Sequence, residues 1–260
     1  MRGGMIDMES NTTLVQCYPA HEAVPDGEGS FPPVLLLHDE FGLTPHLRGV
    51  ANRLAGAGFY ALAPNLYALP TSFAQVAPEW MKATGPAFLP YSDEAAAQER
   101  AATLSDERAD AIVAQALAYI AGRSRARAGG AGVLGFSMGG RLALLSACRH
   151  PGEIRAAVGF YPAGLASPVS ARKPAALDVA AALEAPLLLL YGAFDQEIRA
   201  AERESVRGRL SALGKDFHLE VFPEAPHGSF CPEREEHRIA ASKAAWDETL
   251  AFLRKNLAAA

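Results

Sequence analysis

The chain has 260 residues, 50% of them hydrophobic and 20% charged, with a formal net charge of -5. That is enough apolar content to bury one substantial core, so a single domain over residues 1–260 is expected. The acidic balance and the lack of a Lys/Arg-rich block give no electrostatic footprint for nucleic acid or an anionic membrane, which favours a small-molecule partner; a monomer or small homo-oligomer is expected.

Met1 to Thr13 mixes Arg2, Asp7 and Glu9 with polar residues and lacks the apolar centre of a signal peptide. The longest apolar runs, such as Pro186 to Tyr191, are far shorter than the roughly 18 residues that span a bilayer, so a cytoplasmic protein without a transmembrane helix is expected. Cys17, Cys148 and Cys231 are widely spaced and form no CxxC, which predicts free thiols with neither a disulfide framework nor a zinc site.

In chain order, Thr12 to Tyr18 predicts an edge strand, Val34 to His38 a central strand, Pro45 to Ala57 a helix and Tyr60 to Ala63 a second central strand. From Leu69 to about Asp106 the rhythm breaks into proline, alanine and aromatics (Phe73, Trp80, Phe88, Tyr91), which predicts a helical excursion or a lid over residues 69–106. A long helix ends near Ala121, and strand Ala131 to Phe136 leads into helix Met138 to Arg149. Strands Ala156 to Tyr161 and Pro186 to Tyr191, helix Glu197 to Leu213, strand His218 to Phe222 and a last helix over Ile239 to Leu257 complete the pattern. The charged run Glu197 to Arg209 reads as a solvated helix face, and Trp80 and Trp246 read as packing residues. Short apolar runs alternating with amphipathic ones predict an α/β fold, with a mostly parallel central sheet flanked by helices.

Gly135-Phe136-Ser137-Met138-Gly139-Gly140 sits between a predicted strand and a predicted helix. A G-x-S-x-G at such a turn holds the serine in a strained conformation that its glycine neighbours tolerate, and the helix N-terminus favours an anionic oxygen beside it. A serine hydroxyl needs a base, and the base needs an orienting acid. Asp195 and His227 follow later strands in the order Ser, Asp, His of α/β hydrolases, each on a loop at a strand's C-terminal end. Asp195 has the alternative of capping the next helix, and His227 of being an ordinary loop histidine. His38 reads as structural. Its loop, His38 to Leu43, is where a second backbone N–H, beside that of Met138, would stabilise an oxyanion. Asp39 and Glu40 on that loop are read either as catalytic or as groups that cap the next helix or pair with Arg48 or Arg141.

His38-Asp39-Glu40-Phe41-Gly42-Leu43 and Ala61-Leu62-Ala63-Pro64-Asn65-Leu66-Tyr67 resemble the dienelactone hydrolase (carboxymethylenebutenolidase) family, as do Tyr191 to Asp195, Ala225 to Gly228 and Ala245 to Leu253. The resemblance implies an α/β-hydrolase fold and a hydrolase of carboxylic esters or lactones that needs no metal or organic cofactor. It implies Ser137 as nucleophile, Asp195 and His227 completing a catalytic triad, and the N–H groups of Met138 and Glu40 as the oxyanion hole. Asp39 falls where the family often carries a glutamate, and Arg141 is a possible supporting residue. The chain departs from the family at Ser137, where the best-known members use cysteine, so the hydroxyl needs direct help from His227. It departs again at Cys231, four residues after the histidine, where members that hold a substrate carboxylate carry an arginine. Arg100, Arg141, Arg234 and Arg238 remain as anion binders or surface charges. A broad carboxylesterase or thioesterase, and a silent hydrolase-fold binding protein, are the rival expectations.

Overall fold

A computed structural model describes residues 2–8, 18–68 and 86–258. Most of the edge strand predicted over Thr12 to Tyr18, together with Cys17, Phe73, Trp80 and residues 69–85 of the expected lid, lies outside the described residues. The chain divides into two compact units, Met1–Ala128 and Gly129–Ala260.

In the first unit, β1 (Arg2–Met8), β2 (Tyr18–Val24), β3 (Pro33–Leu37) and β4 (Tyr60–Pro64) lie side by side in the order β1-β2-β4-β3. β3 and β4 are parallel, whereas β2 joins β4 antiparallel and β1 joins β2 antiparallel. Every residue of β3 and β4 is buried, as expected for strands covered on both faces. α1 (Pro45–Gly56) packs on β4 and β2 with Leu47, Val50 and Leu54 inward, and Thr44 caps it by accepting from the Leu47 N–H. α2 (Glu94–Thr103) and α3 (Asp106–Ala121) start with Asp93 and Ser105 as side-chain caps. Residues 86–89 of the predicted lid lie against the loop after β3: the Leu43 N–H donates to Ala87 O and the Leu89 N–H to Phe41 O.

In the second unit, β5 (Ala131–Phe136), β6 (Ile154–Phe160), β7 (Leu187–Gly192) and β8 (Phe217–Phe222) run parallel in that order. α4 (Met138–Arg149) packs on β5 and β6, and α6 (Ile239–Asn256) on β6 and β7. α5 (Ala200–Ala212) packs on a 3₁₀ helix at Ala176–Ala182. Fully buried leucines such as Leu134 and Leu189 each contribute about 1.5–3 kcal/mol relative to exposure. The helix predicted from Glu197 begins instead at Ala200, because Glu197 and Ile198 give their N–H groups to the Asp195 side chain in a non-helical turn. Among the described residues no helix is long and apolar enough to cross a membrane.

Candidate active site

Ser137 is the hinge between β5 and α4, at φ 48° and ψ −113°, a region that costs a residue with a side chain of order 1–3 kcal/mol. Two contacts hold it there: its N–H donates to Phe160 O at 3.0 Å, and its carbonyl accepts from the Arg141 N–H at 3.1 Å. The turn is possible because Gly135 faces the first turn of α4, where a Cβ on residue 135 would lie 2.0 Å from Gly139 O. A Cβ on Gly140 would lie 2.9 Å from the Pro162 Cβ. Serine at a helix N-cap ordinarily turns its hydroxyl onto the first-turn N–H groups, but Ser137 makes no such bond. Its Oγ points to the His227 Nε2, 3.1 Å away.

His227 lies on the loop after β8, and its Nδ1 is 2.8 Å from the Asp195 Oδ2. A carboxylate only accepts, so the partners assign the proton to Nδ1 and leave the Nε2 lone pair facing the serine hydroxyl. The other oxygen of Asp195 accepts from the Glu197 N–H at 2.9 Å and the Ile198 N–H at 2.8 Å. Asp195 does not cap the next helix, which begins at Ala200 with Arg199 at its N-cap; one of its oxygens ties its own non-helical loop and the other meets the histidine. The acid and histidine loops are also joined through their backbones, with the Ala193 N–H donating to Phe222 O and the Phe194 N–H to Ala225 O. All three side chains are buried.

The histidine loop is seated by aromatics. Phe230 stacks on Phe136 with centroids 5.6 Å apart, and Tyr161, itself at φ 37°, has its ring 4.8 Å from the His227 ring. Sequence reading missed two charged neighbours inside the run it took for a solvated face. The Glu197 carboxylate lies 3.8 Å from the His227 Nε2, and Arg203 is buried. The signal for Arg203 was its spacing: it shares the buried stripe of α5 with Val206 and Leu210.

The arginines considered as anion binders are engaged with the protein itself. Arg100 donates to Pro86 O and Phe41 O and lies 4.2 Å over the Tyr67 ring. Arg141 donates to Pro174 O. Arg234 packs its guanidinium against Gly228 and pairs with Glu236 at 3.3 Å, and Arg238 donates to Glu235 O and His237 O. Burial pushes the Cys148 thiol up to about 11, and Cys231 is buried as well.

On the loop after β3, Asp39 accepts from the Phe41 N–H at 3.0 Å, and Glu40 gives its carbonyl to the Tyr67 hydroxyl at 3.0 Å. Capping of the next helix, one reading of these carboxylates, falls to Thr44 instead, because its Oγ1 is the atom within reach of the Leu47 N–H. His38 is fully buried, its Nδ1 donating to Asp39 O at 2.7 Å and its Nε2 accepting from the Leu66 N–H at 3.0 Å. It is a neutral fastener between the ends of β3 and β4.

Burial, opposed by the Asp39 carbonyl and helped by Arg100, pulls His38 down to about 4. Between pH ~6.5 and that value the unfolded chain holds a proton on residue 38 that the folded chain lacks, so stability present above the window is lost as pH falls through it. Urea midpoints at pH 7 and pH 4.5 are expected to fall more steeply for wild type than for His38→Gln, by up to about 3 kcal/mol. Parallel pH dependences in the two proteins would remove this role.

A sequence model of the dienelactone hydrolase family matches residues 19–257. A Methylorubrum extorquens protein provisionally named carboxymethylenebutenolidase is 30% identical over 230 residues, covering 88% of this chain and 73% of that protein. A Bradyrhizobium protein provisionally named 2-oxo-3-(5-oxofuran-2-ylidene)propanoate lactonase is 30% identical over 239 residues, 92% of this chain and 89% of the other. Among solved structures, a provisionally named dienelactone hydrolase from Klebsiella pneumoniae is similar with a TM-score of 0.81, 26% identity and 98% coverage of both chains. With a family match over nearly its whole length and a mostly parallel sheet flanked by helices, the chain belongs to the dienelactone hydrolase family and has its α/β-hydrolase fold.

Proposed function

We propose that the protein hydrolyses a carboxylic ester or lactone through an acyl-enzyme on Ser137. The observation that carries this reading is His227 held between the Ser137 Oγ at 3.1 Å and the Asp195 Oδ2 at 2.8 Å. The Ser137 Oγ attacks the carbonyl carbon as its proton passes to the His227 Nε2, and Asp195 stabilises the imidazolium. The family resemblance assigns the oxyanion to the N–H of Met138, first residue of α4, with the Glu40 N–H as the second donor. Nε2 then protonates the departing alkoxide, or the ring oxygen of a lactone. A water gives Nε2 its proton as it attacks the acyl carbon, and the acid leaves with Ser137 restored.

A second reading, a carboxylesterase without a preference for substrate carboxylates, is favoured by the engagement of Arg234 and Arg238 and by Cys231 in the place of the family's arginine. The name of the Bradyrhizobium relative supports a lactone that carries one. A fluorophosphonate probe is expected to label wild type and not Ser137→Ala, with p-nitrophenyl butyrate turnover falling at least about 10⁴-fold in the variant. Labelling that is equal in the two proteins, or absent from wild type, would sink the serine-hydrolase reading. Matched esters and lactones with and without a free carboxylate then separate the two substrate classes by kcat/KM.

A further inference from the structure

Arg203 is a buried guanidinium, 7% exposed, in a helix whose other charged residues are exposed or half-buried. Both of its hydrogen bonds go from Nη1 to backbone carbonyls, Ile198 O at 2.6 Å and Gly192 O at 3.2 Å. Those two carbonyls stand three residues before and three residues after Asp195. Burying a cation against neutral acceptors is costly, and well-packed apolar residues often serve stability as well, so its placement calls for a reason other than stability.

The loop supplies one. Gly192 closes against the histidine loop, where a Cβ would come within 1.9 Å of Ala225 O, and the next two N–H groups bond across to that loop. Downstream, Ile198 gives its N–H to the Asp195 Oδ1 and its carbonyl to Arg203. The segment from Gly192 to Ile198 is thus a ring, closed inside by the Asp195 carboxylate and outside by the guanidinium. Both charges are also within electrostatic reach of the buried Tyr191 hydroxyl, whose ionisation burial and the Glu202 and Asp195 carboxylates oppose and Arg203 favours.

We infer that Arg203 is a positioning residue for the Asp195–His227 pair, fixing the acid loop so that the Asp195 Oδ2 meets the His227 Nδ1. The inference rests on the reading of Ser137, His227 and Asp195 as a working set. Misplacement of such a pair by a fraction of an ångström affects turnover more than ground-state binding.

The test is a double-mutant cycle on p-nitrophenyl butyrate hydrolysis, with urea midpoints measured alongside. Arg203→Met is expected to lower kcat by about 10- to 100-fold with KM within about threefold. Arg203→Lys, which keeps a cationic donor, is expected to stay within about fivefold of wild-type kcat. In an Asp195→Ala background, Arg203→Met is expected to change kcat by less than about twofold, because the group it positions is gone. Should the Met variant not accumulate as folded protein, Arg203→Gln carries the same cycle.

The inference is overturned by a kcat within about threefold of wild type in Arg203→Met, or by the same fold-loss in both backgrounds. A fully active Asp195→Ala or an unlabelled wild-type Ser137 would overturn the underlying triad reading instead. Wild type active, Asp195→Ala inactive and Arg203→Met normal would overturn only the role of Arg203.

Discussion

Asp195→Asn is expected to fold normally and to lose about 10³- to 10⁴-fold in kcat. An asparagine oxygen can still accept from the Glu197 and Ile198 N–H groups, so the loop keeps its internal ties. The amide nitrogen then faces the His227 Nδ1, and a donor there forces the imidazole to present a lone pair at Nδ1 and carry its proton on Nε2. In that tautomer Nε2 cannot accept the Ser137 proton. Kinetics on a p-nitrophenyl ester together with a urea midpoint within about 0.5 kcal/mol of wild type check both halves of the expectation. Asp195→Ala differs in the second half: it strands the buried Ile198 N–H and the part-buried Glu197 N–H and is expected to lose a further 1–3 kcal/mol or so of stability. An Asp195→Asn variant with kcat within tenfold or so of wild type would mean that Asp195 serves its loop and not the histidine.

Gly135→Ala is the stability counterpart. The added methyl would sit 2.0 Å from Gly139 O, 2.2 Å from the Gly139 carbonyl carbon and 2.7 Å from the Gly140 N, all backbone atoms that no rotamer change can move. Relief requires α4 to shift by about an ångström against β5, a disruption at or beyond the upper end of ordinary overpacking, so a loss of more than about 3 kcal/mol or insoluble protein is expected. The same substitution at Gly49, in the interior of α1 with nothing within 4 Å of the new methyl, is expected to be neutral or to stabilise by about 0.5–1 kcal/mol. Urea unfolding of the two variants side by side reads the contrast. Equal effects at the two positions would show that the close approach at Gly135 relaxes without cost.

The parts of the molecule that were legible in the sequence are those where side chains carry the signal. β5 and α4 fall on their predicted bounds because a wholly apolar run and a glycine-punctuated turn leave little choice there. Ser137, Asp195 and His227, the three residues proposed for the site, could be singled out because each follows a recognisable strand. β1 went unseen because Arg-Gly-Gly-Met-Ile-Asp-Met has neither alternation nor β-branched enrichment beyond one isoleucine, and its pairing with β2 is a matter of backbone register. Arg203 is buried where a solvated face was expected, and the approach of the exposed Glu197 to His227 was not foreseen, for a related reason. The spacing of Arg203 with Val206 and Leu210 marks its burial, but the carbonyls it meets and the approach of the glutamate to His227 depend on the shape of the 192–198 loop, which is not written in residue types.

The joining of the acid and histidine loops by main-chain bonds separates two kinds of freedom. Because the N–H groups of Ala193 and Phe194 and the carbonyls of Phe222 and Ala225 do the fastening, the side chains at positions 193 and 194 are released from it. Phe194 uses that release by standing 57% exposed beside the buried aspartate. Side chains on this loop can therefore be exchanged one at a time, aromatic for polar or charged, while the main-chain bonds keep the spacing of Asp195 and His227.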